Sequence, residues 1–233
     1  FVPASGRQLA NLRATLGATI TQSPIIAENG TIVVQGDDEI HRETITRSDA
    51  VTVVHTTRAL CEQGLDVGPV IATRDRAYVD RIDERFVRQC AFYYAALEPV
   101  EDVLDLALDN VLKIAVYAFG DAESECYRPL SAAVPGVQTV VSGAHWVDMM
   151  ARTASKGRAL AAVQERLGIE PAQTAVFGDY LNDAELYDHA ELSFAMANAH
   201  PGILSRARYI APANTDDGVL RMIEALLDRL PPR

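Results

Sequence analysis

Lysine is nearly missing from this sequence: of its 21 basic residues only Lys113 and Lys156 are lysines, and arginine serves everywhere else. A generic surface cation is written here as arginine, so each lysine needs a reason. Cysteine is also sparse. Cys61, Cys90 and Cys126 are an odd number at wide spacing with no C-x-x-C, which excludes a disulfide framework or cysteine zinc site and suits reduced thiols in a cytoplasmic protein. They read as small core hydrophobes. The five histidines form no H-E-x-x-H pattern, and His189 and His200 fall near expected helix ends. No apolar run approaches the roughly 18 residues that span a bilayer, and no signal-peptide pattern is present. There is no repeat of fixed period and no low-complexity tract. The chain opens without Met inside an apolar run, Phe1-Val2-Pro3-Ala4, and residues ahead of it are expected.

What is present fits an ordinary globular chain. Its 233 residues suit one large domain or a core with one insertion, and 48% hydrophobic with 23% charged residues excludes disordered, collagen-like and fibrous classes. Lys+Arg 21 against Asp+Glu 32 leaves a net charge of −11. So acidic a chain repels phosphate backbones and anionic lipid, which argues against nucleic-acid and membrane partners, and an anionic ligand needs a local cation.

The hydrophobic pattern predicts a strand over 1–4, a turn at Ser5-Gly6 and a helix over 7–16. A short strand over 25–27, a turn at Glu28-Asn29-Gly30 and a hairpin over 31–45 follow, then a helix from a Ser48-Asp49 cap to Gln63. The middle mixes helices expected over 79–96, 100–108 and 122–133 with strands over 67–73, 112–119, 137–141 and 146–151. From Ser155 the pattern becomes strand-helix alternation: helices over 155–167, 183–189, 201–206 and 218–230, and strands over 174–177, 192–196 and 209–210. Short apolar strands alternating with amphipathic helices imply a parallel sheet covered on both faces. The first 27 residues have the same character. The expected organisation is an α/β core of residues 1–46 and 148–233 with an α+β cap inserted at 47–147.

Three segments carry chemistry. The strand ending Phe177-Gly178-Asp179 runs into Tyr180-Leu181-Asn182-Asp183. Ligands bind beyond the carboxyl ends of strands in open parallel sheets, and two carboxylates with an amide suit a hard divalent cation. Alternatively Asp179 ends the strand and Asn182 or Asp183 caps the helix. Ser5-Gly6 before a helix offers backbone N–H groups and a hydroxyl to a phosphate, or is a plain cap. Lys156 opens a helix, where the dipole disfavours cations, and its compact ammonium suits a phosphoryl oxygen or a carboxylate. Lys113, within a strand, receives no role. Arg74, Arg76, His145 and Trp146 fall near cap strand ends and read as surface or packing residues.

Taken together, ASGR, AENG, SKGRAL, GDYLND, FAMANA and DDGV resemble the haloacid dehalogenase-like (HAD) phosphatases, specifically the Cof-type hydrolases with a large α/β cap, over nearly the whole chain. The resemblance implies a Rossmann-like core and a Mg2+-dependent phosphatase acting through an aspartyl-phosphate on a small phosphorylated metabolite, with sugar phosphates favoured. It further implies that Ser5 and Gly6 hold the phosphate, Lys156 neutralises it, Asn182 contacts it, Asp179 binds the metal and Asp183 supports the site. The family's first motif, D-x-D-G-T, which supplies the nucleophile, has no counterpart here, since the sequence contains no D-x-D. A strand and helix carrying it would take on the order of 30 residues; without it the 233 residues are expected not to turn over. Two other readings stay open: a phosphomutase or sugar-phosphate-synthesis branch of the same superfamily, and a non-catalytic phosphate-ligand binding protein.

Overall fold

A computed structural model describes residues 1–20 and 22–229. The chain divides into two compact units, Phe1–Ala154 and Ser155–Arg233.

In the first unit, α1 (Leu9–Leu16) is followed by the hairpin strands β1 (Pro24–Ala27), β2 (Ile32–Gln35) and β3 (Asp38–Arg42), which form an antiparallel sheet. The strand expected over 1–4 shrinks to one parallel bridge, Ala4 to Ile26. Leu9, Leu12, Ile25, Ala27, Ile32 and Val34 close a small core. Helix α2 (Arg47–Glu62) starts two to three residues earlier than a Ser48-Asp49 cap predicts, because the Thr46 hydroxyl accepts the Asp49 N–H at 3.2 Å.

Next come β4 (Val67–Ala72), β5 (Ala77–Val79), α3 (Glu84–Ala91), β6 (Leu97–Pro99), β7 (Lys113–Ala118), α4 (Arg128–Ala133), β8 (Val137–Gly143) and β9 (Trp146–Ala151). These strands build a six-stranded sheet in the order β6-β5-β4-β7-β9-β8, antiparallel except between β5 and β6. Alternation along β7 explains why every residue in it is buried. Ile114, Val116 and Ala118 join Val53, Val54 and Leu130 from α2 and α4, whereas Ala115 and Tyr117 join Phe86 and Cys90 from α3.

The helix expected over 79–96 is shorter at both ends: β5 takes Val79, and α3 spans only Glu84–Ala91 before β6. Asp83 sets its start by accepting the Phe86 N–H at 3.1 Å. The helix expected over 100–108 is only two single 3-10 turns, Val103–Asp105 and Leu108–Asn110. Asp102 caps the first by accepting the Leu104 N–H at 2.7 Å while it binds Arg58, a local bond that competes with continued helix. Within 122–133 the first turn is a π-turn, Glu123–Tyr127, before α4; Pro129 lacks the N–H a regular ladder would use there.

The second unit alternates α5 (Lys156–Leu167), β10 (Ala175–Gly178), a 3-10 segment (Leu181–His189), β11 (Leu192–Met196), α6 (Pro201–Leu204), β12 (Tyr209–Ala211) and α7 (Gly218–Leu227). The three strands are parallel in the order β10-β11-β12. Ser155 caps α5 by accepting the Arg158 N–H at 3.2 Å, and Gly168 ends it at φ +63. The 3-10 segment replaces an α-helix expected over 183–189, and Leu230, the expected end of the last helix, lies outside the described residues.

Candidate functional site

Strand β10 delivers Gly178 and Asp179 to its carboxyl end, and Asp183 fixes the turn that follows. Asp183 Oδ2 accepts the N–H groups of Asp179 at 3.0 Å and Tyr180 at 3.3 Å, while Oδ1 accepts from Lys156 Nζ at 2.7 Å. Lys156 and Asp183 are both about 6% exposed. One carboxylate thus ties the start of α5 to the loop after β10. The approach is close enough to need two glycines. A Cβ on Gly178 would lie 2.6 Å from Asp183 Cβ, and one on Gly157 would lie 2.6 Å from the Glu185 carbonyl oxygen.

Asp179 is exposed and is held from the other side. Its carbonyl accepts the His200 N–H at 2.8 Å, and its Oδ2 accepts from Asn214 Nδ2 at 3.3 Å. Asn214 is locked in turn by Asn198, through Asn198 Nδ2 to Asn214 Oδ1 at 2.8 Å and Asn214 N to Asn198 Oδ1 at 3.2 Å. Asn182 is exposed, one residue before the buried Asp183. Lys156, Asp179, Asn182 and Asp183 therefore cluster within the second unit.

Ser5 and Gly6 belong to the first unit. The Ser5 hydroxyl accepts the Arg7 N–H at 3.2 Å, and the loop leans on Asn29, whose Oδ1 would lie 2.6 Å from a Cβ on Gly6. Beneath it lies a buried charge cluster that the sequence reading left without a role. Lys113 Nζ stands 2.8 Å from Glu28 Oε2 and 3.3 Å from Asp148 Oδ2. Burial works against the Lys113 charge, but Asp148 and Glu28 outweigh it and hold the ammonium well above the usual lysine pKa. Burial pushes the Glu28 carboxyl up, and Lys113 opposes that shift. The scarcity of lysine was a signal for Lys113 as much as for Lys156; the AENG and FAMANA segments contain Glu28 and Asn198 but gave them no role, and nothing in the pattern pointed to Asn214 or Asp148.

Of the other residues singled out, His200 caps α6, its Nδ1 accepting the Gly202 N–H at 3.1 Å. His145 Nδ1 lies 3.1 Å from the Ala118 carbonyl and 2.9 Å from that of Gly120, and Trp146 packs against Tyr117. Arg74 and Arg76 pair with Glu39 and Glu98. All three cysteines are free thiols; Cys90 and Cys126 are buried, whereas Cys61 is exposed and its thiol donates to the Val67 carbonyl at 3.2 Å.

Among the described residues no group of three or more His, Cys, Asp or Glu side chains is placed to hold a metal ion, and no helix is long and apolar enough to cross a membrane. Mg2+ is usually bound through one or two carboxylates, with waters and substrate phosphate completing its shell. An exposed Asp179 carboxylate at a strand end fits such an ion as one ligand.

The sequence model of the haloacid dehalogenase-like hydrolases matches residues 1–223. The chain belongs to that family. This HAD-family protein is 27% identical over 229 residues to the 5-amino-6-(5-phospho-D-ribitylamino)uracil phosphatase YbjI of Escherichia coli strain K12, covering 97% of this chain and 83% of that protein. It is 26% identical to a phosphoglycolate phosphatase of Methanopyrus kandleri, covering 97% and 82%. Among solved structures, a protein from Eubacterium rectale superposes with a TM-score of 0.85 at 22% identity, covering 97% of this chain and 85% of the other. A HAD subclass IIB sugar phosphatase superposes with a TM-score of 0.75 at 19% identity, covering 97% and 84%. These structural matches show the HAD α/β fold, and family and relatives together make the chain a phosphatase of the superfamily.

Proposed function

We propose that this HAD-family protein is a Mg2+-dependent phosphatase that hydrolyses a small phosphorylated metabolite, of the sugar-phosphate class, through an aspartyl-phosphate intermediate. The observation that carries the reading is the buried Lys156–Asp183 pair holding the loop of Asp179 at the end of β10. Phosphoryl transfer asks a protein mainly for positioning and charge neutralisation. Ser5 and Gly6 hold the phosphate. Lys156 neutralises it: an ammonium has three donors, so its bond to Asp183 leaves capacity for a phosphoryl oxygen. Asn182 contacts the phosphate, Asp179 is a metal ligand, and Asp183 keeps lysine and loop in register. When bound, Mg2+ supplies a Lewis acid that stabilises charge on the phosphoryl oxygens. Residues 1–46 and 148–233 form the catalytic core and 47–147 the substrate-selecting cap. Three free thiols support a cytoplasmic setting.

The nucleophilic aspartate is assigned to no residue here, because the sequence has no D-x-D. That observation favours one second reading, a phosphate-ligand binding protein that seats the ligand without turnover. Hydrolysis of p-nitrophenyl phosphate and a panel of sugar phosphates by the complete gene product, with and without Mg2+, separates the two. In the enzyme, Asp179→Asn abolishes Mg2+ dependence and lowers activity by on the order of 100-fold, since an amide is a poor ligand for a hard cation. Activity within about threefold of wild type at low Mg2+ removes Asp179 from the metal site.

A further inference from the structure

We propose that Lys113 is a positioning residue for phosphate: it holds the Ser5-Gly6-Arg7 loop from below so that the loop's N–H groups are fixed for an incoming phosphoryl group. The inference rests on the reading that Ser5 and Gly6 seat phosphate.

Three consecutive carbonyls of this loop are tied inward by three different donors. Asn29 N–H donates to Ser5 O at 3.0 Å, Lys113 Nζ to Gly6 O at 3.1 Å, and Glu28 N–H to Arg7 O at 3.1 Å. A peptide unit whose oxygen is fixed has its own N–H direction fixed as well, because the two lie in one plane and point opposite ways; holding Gly6 O thus fixes the Arg7 N–H, and with it the Ser5 hydroxyl that accepts from it. The middle carbonyl, at the glycine, is the one that depends on a side chain.

The architecture around Lys113 is expensive to build, and it is aimed at this contact. Lys113 is 4% exposed, Glu28 0% and Asp148 6%. The ammonium stands among three oxygens: it donates to Gly6 O and forms ion pairs with Glu28 Oε2 at 2.8 Å and Asp148 Oδ2 at 3.3 Å. Asn29 Nδ2 braces Asp148 Oδ2 at 3.4 Å. Glu28 and Asn29 both sit at positive φ, 48° and 59°, a conformation that costs an ordinary side chain energy. That twist lets one turn place two backbone N–H groups on the loop and the Glu28 carboxylate on the lysine. An apolar residue at 113 would fill the same interior without ordering any of this. One member is left unsatisfied: both Glu28 carboxyl oxygens are buried with no hydrogen-bond partner among the described residues, and Oε2 meets Lys113 only as an ion pair. A cluster built for stability alone has no use for a second buried acid beside one lysine; a cluster that must carry a lysine to one carbonyl does.

The test measures inhibition by inorganic phosphate and the kinetics of p-nitrophenyl phosphate hydrolysis on the complete gene product, below the unfolding temperature of each variant. Lys113→Met removes the donor to Gly6 O. Lys113→Met with Glu28→Gln also removes one of the two buried carboxyls that lose their cation, so it lowers the cost of folding without restoring the donor. Loss of a charge-assisted hydrogen bond predicts that the inhibition constant for phosphate and KM rise together by about tenfold or more in both variants, with kcat changed less. A double variant whose phosphate inhibition returns to within about threefold of wild type overturns the inference, because Lys113 would then serve only as a counter-charge for Glu28. If the single variant does not fold, the double variant decides by the same numbers. If neither folds, Lys113→Arg decides: it keeps a cation between the carboxylates, but its planar fork does not reproduce three donors around one point. Weakened phosphate inhibition there supports the inference, and wild-type inhibition overturns it. Ser5→Ala separates the two levels of argument. If it leaves phosphate inhibition unchanged, the seat itself is misassigned; if it weakens inhibition while the Lys113 variants do not, only the role of Lys113 falls.

Discussion

Replacing Asp183 with Asn tests whether the Lys156–Asp183 pair holds the second unit together. The change is nearly isosteric, and its cost comes from donors facing donors. Asp183 accepts from Lys156 at one oxygen and from the Asp179 and Tyr180 N–H groups at the other. An amide has one oxygen. Turned toward the two backbone groups, it sets its NH2 against the ammonium, and turned toward the ammonium it sets its NH2 against the two N–H groups. Both side chains are about 6% exposed, so water does not repair either arrangement. Breaking one partner of a buried ion pair costs about 3–5 kcal/mol. At about 2–4 °C per kcal/mol for a chain of this size, the lower figure predicts a Tm fall of about 6–12 °C. Lys156→Met should fall less, because the carboxylate keeps its two backbone donors and Met fills the space of the lysine stem. Differential scanning calorimetry of wild type and both variants gives the comparison. A Tm within about 2 °C of wild type for Asp183→Asn would refute the reasoning.

Three further outcomes follow from the same structure. Lys156→Arg keeps the charge yet should lower kcat by at least about tenfold, since a larger planar guanidinium is forced into a packed site built for a point charge; kinetics equal to wild type would reject a special role for lysine. Burial pushes Cys90 up to about 12 and Cys126 up to about 11, whereas Cys61 is exposed, so iodoacetamide at pH 8 should label Cys61 first by mass spectrometry, and equal labelling of all three would contradict the packing. Burial also raises Tyr94 and lifts Tyr187 to about 12. Like Cys90 and Cys126, these groups keep their protons in the folded state at pH values where the unfolded chain has lost them. The stability they contribute is complete below about pH 9 and is lost between pH 9 and 12. Urea midpoints that stay level across that range would count against it.

The strand-helix alternation after Ser155 was legible because short apolar runs and amphipathic periods are local properties, and the structure puts β10, β11 and β12 where those runs stand. Asp179 at a strand end and Lys156 at a helix start were legible for the same reason: residue type and element boundary sufficed. The middle of the chain was not. Whether 79–96 forms one helix or only a short helix between two strands depends on β5 pairing with β4 and β6 pairing with β5, a gain that no local window contains. Lys113 shows the limit most plainly. Its rarity was visible in the composition, but its partners Glu28 and Asp148 lie 85 residues before it and 35 after it. Their meeting under Gly6 is made by the pairing of β7 with β9 and by a turn at positive φ. A buried charge is stable only where distant partners arrive together, and that convergence is a property of the tertiary fold.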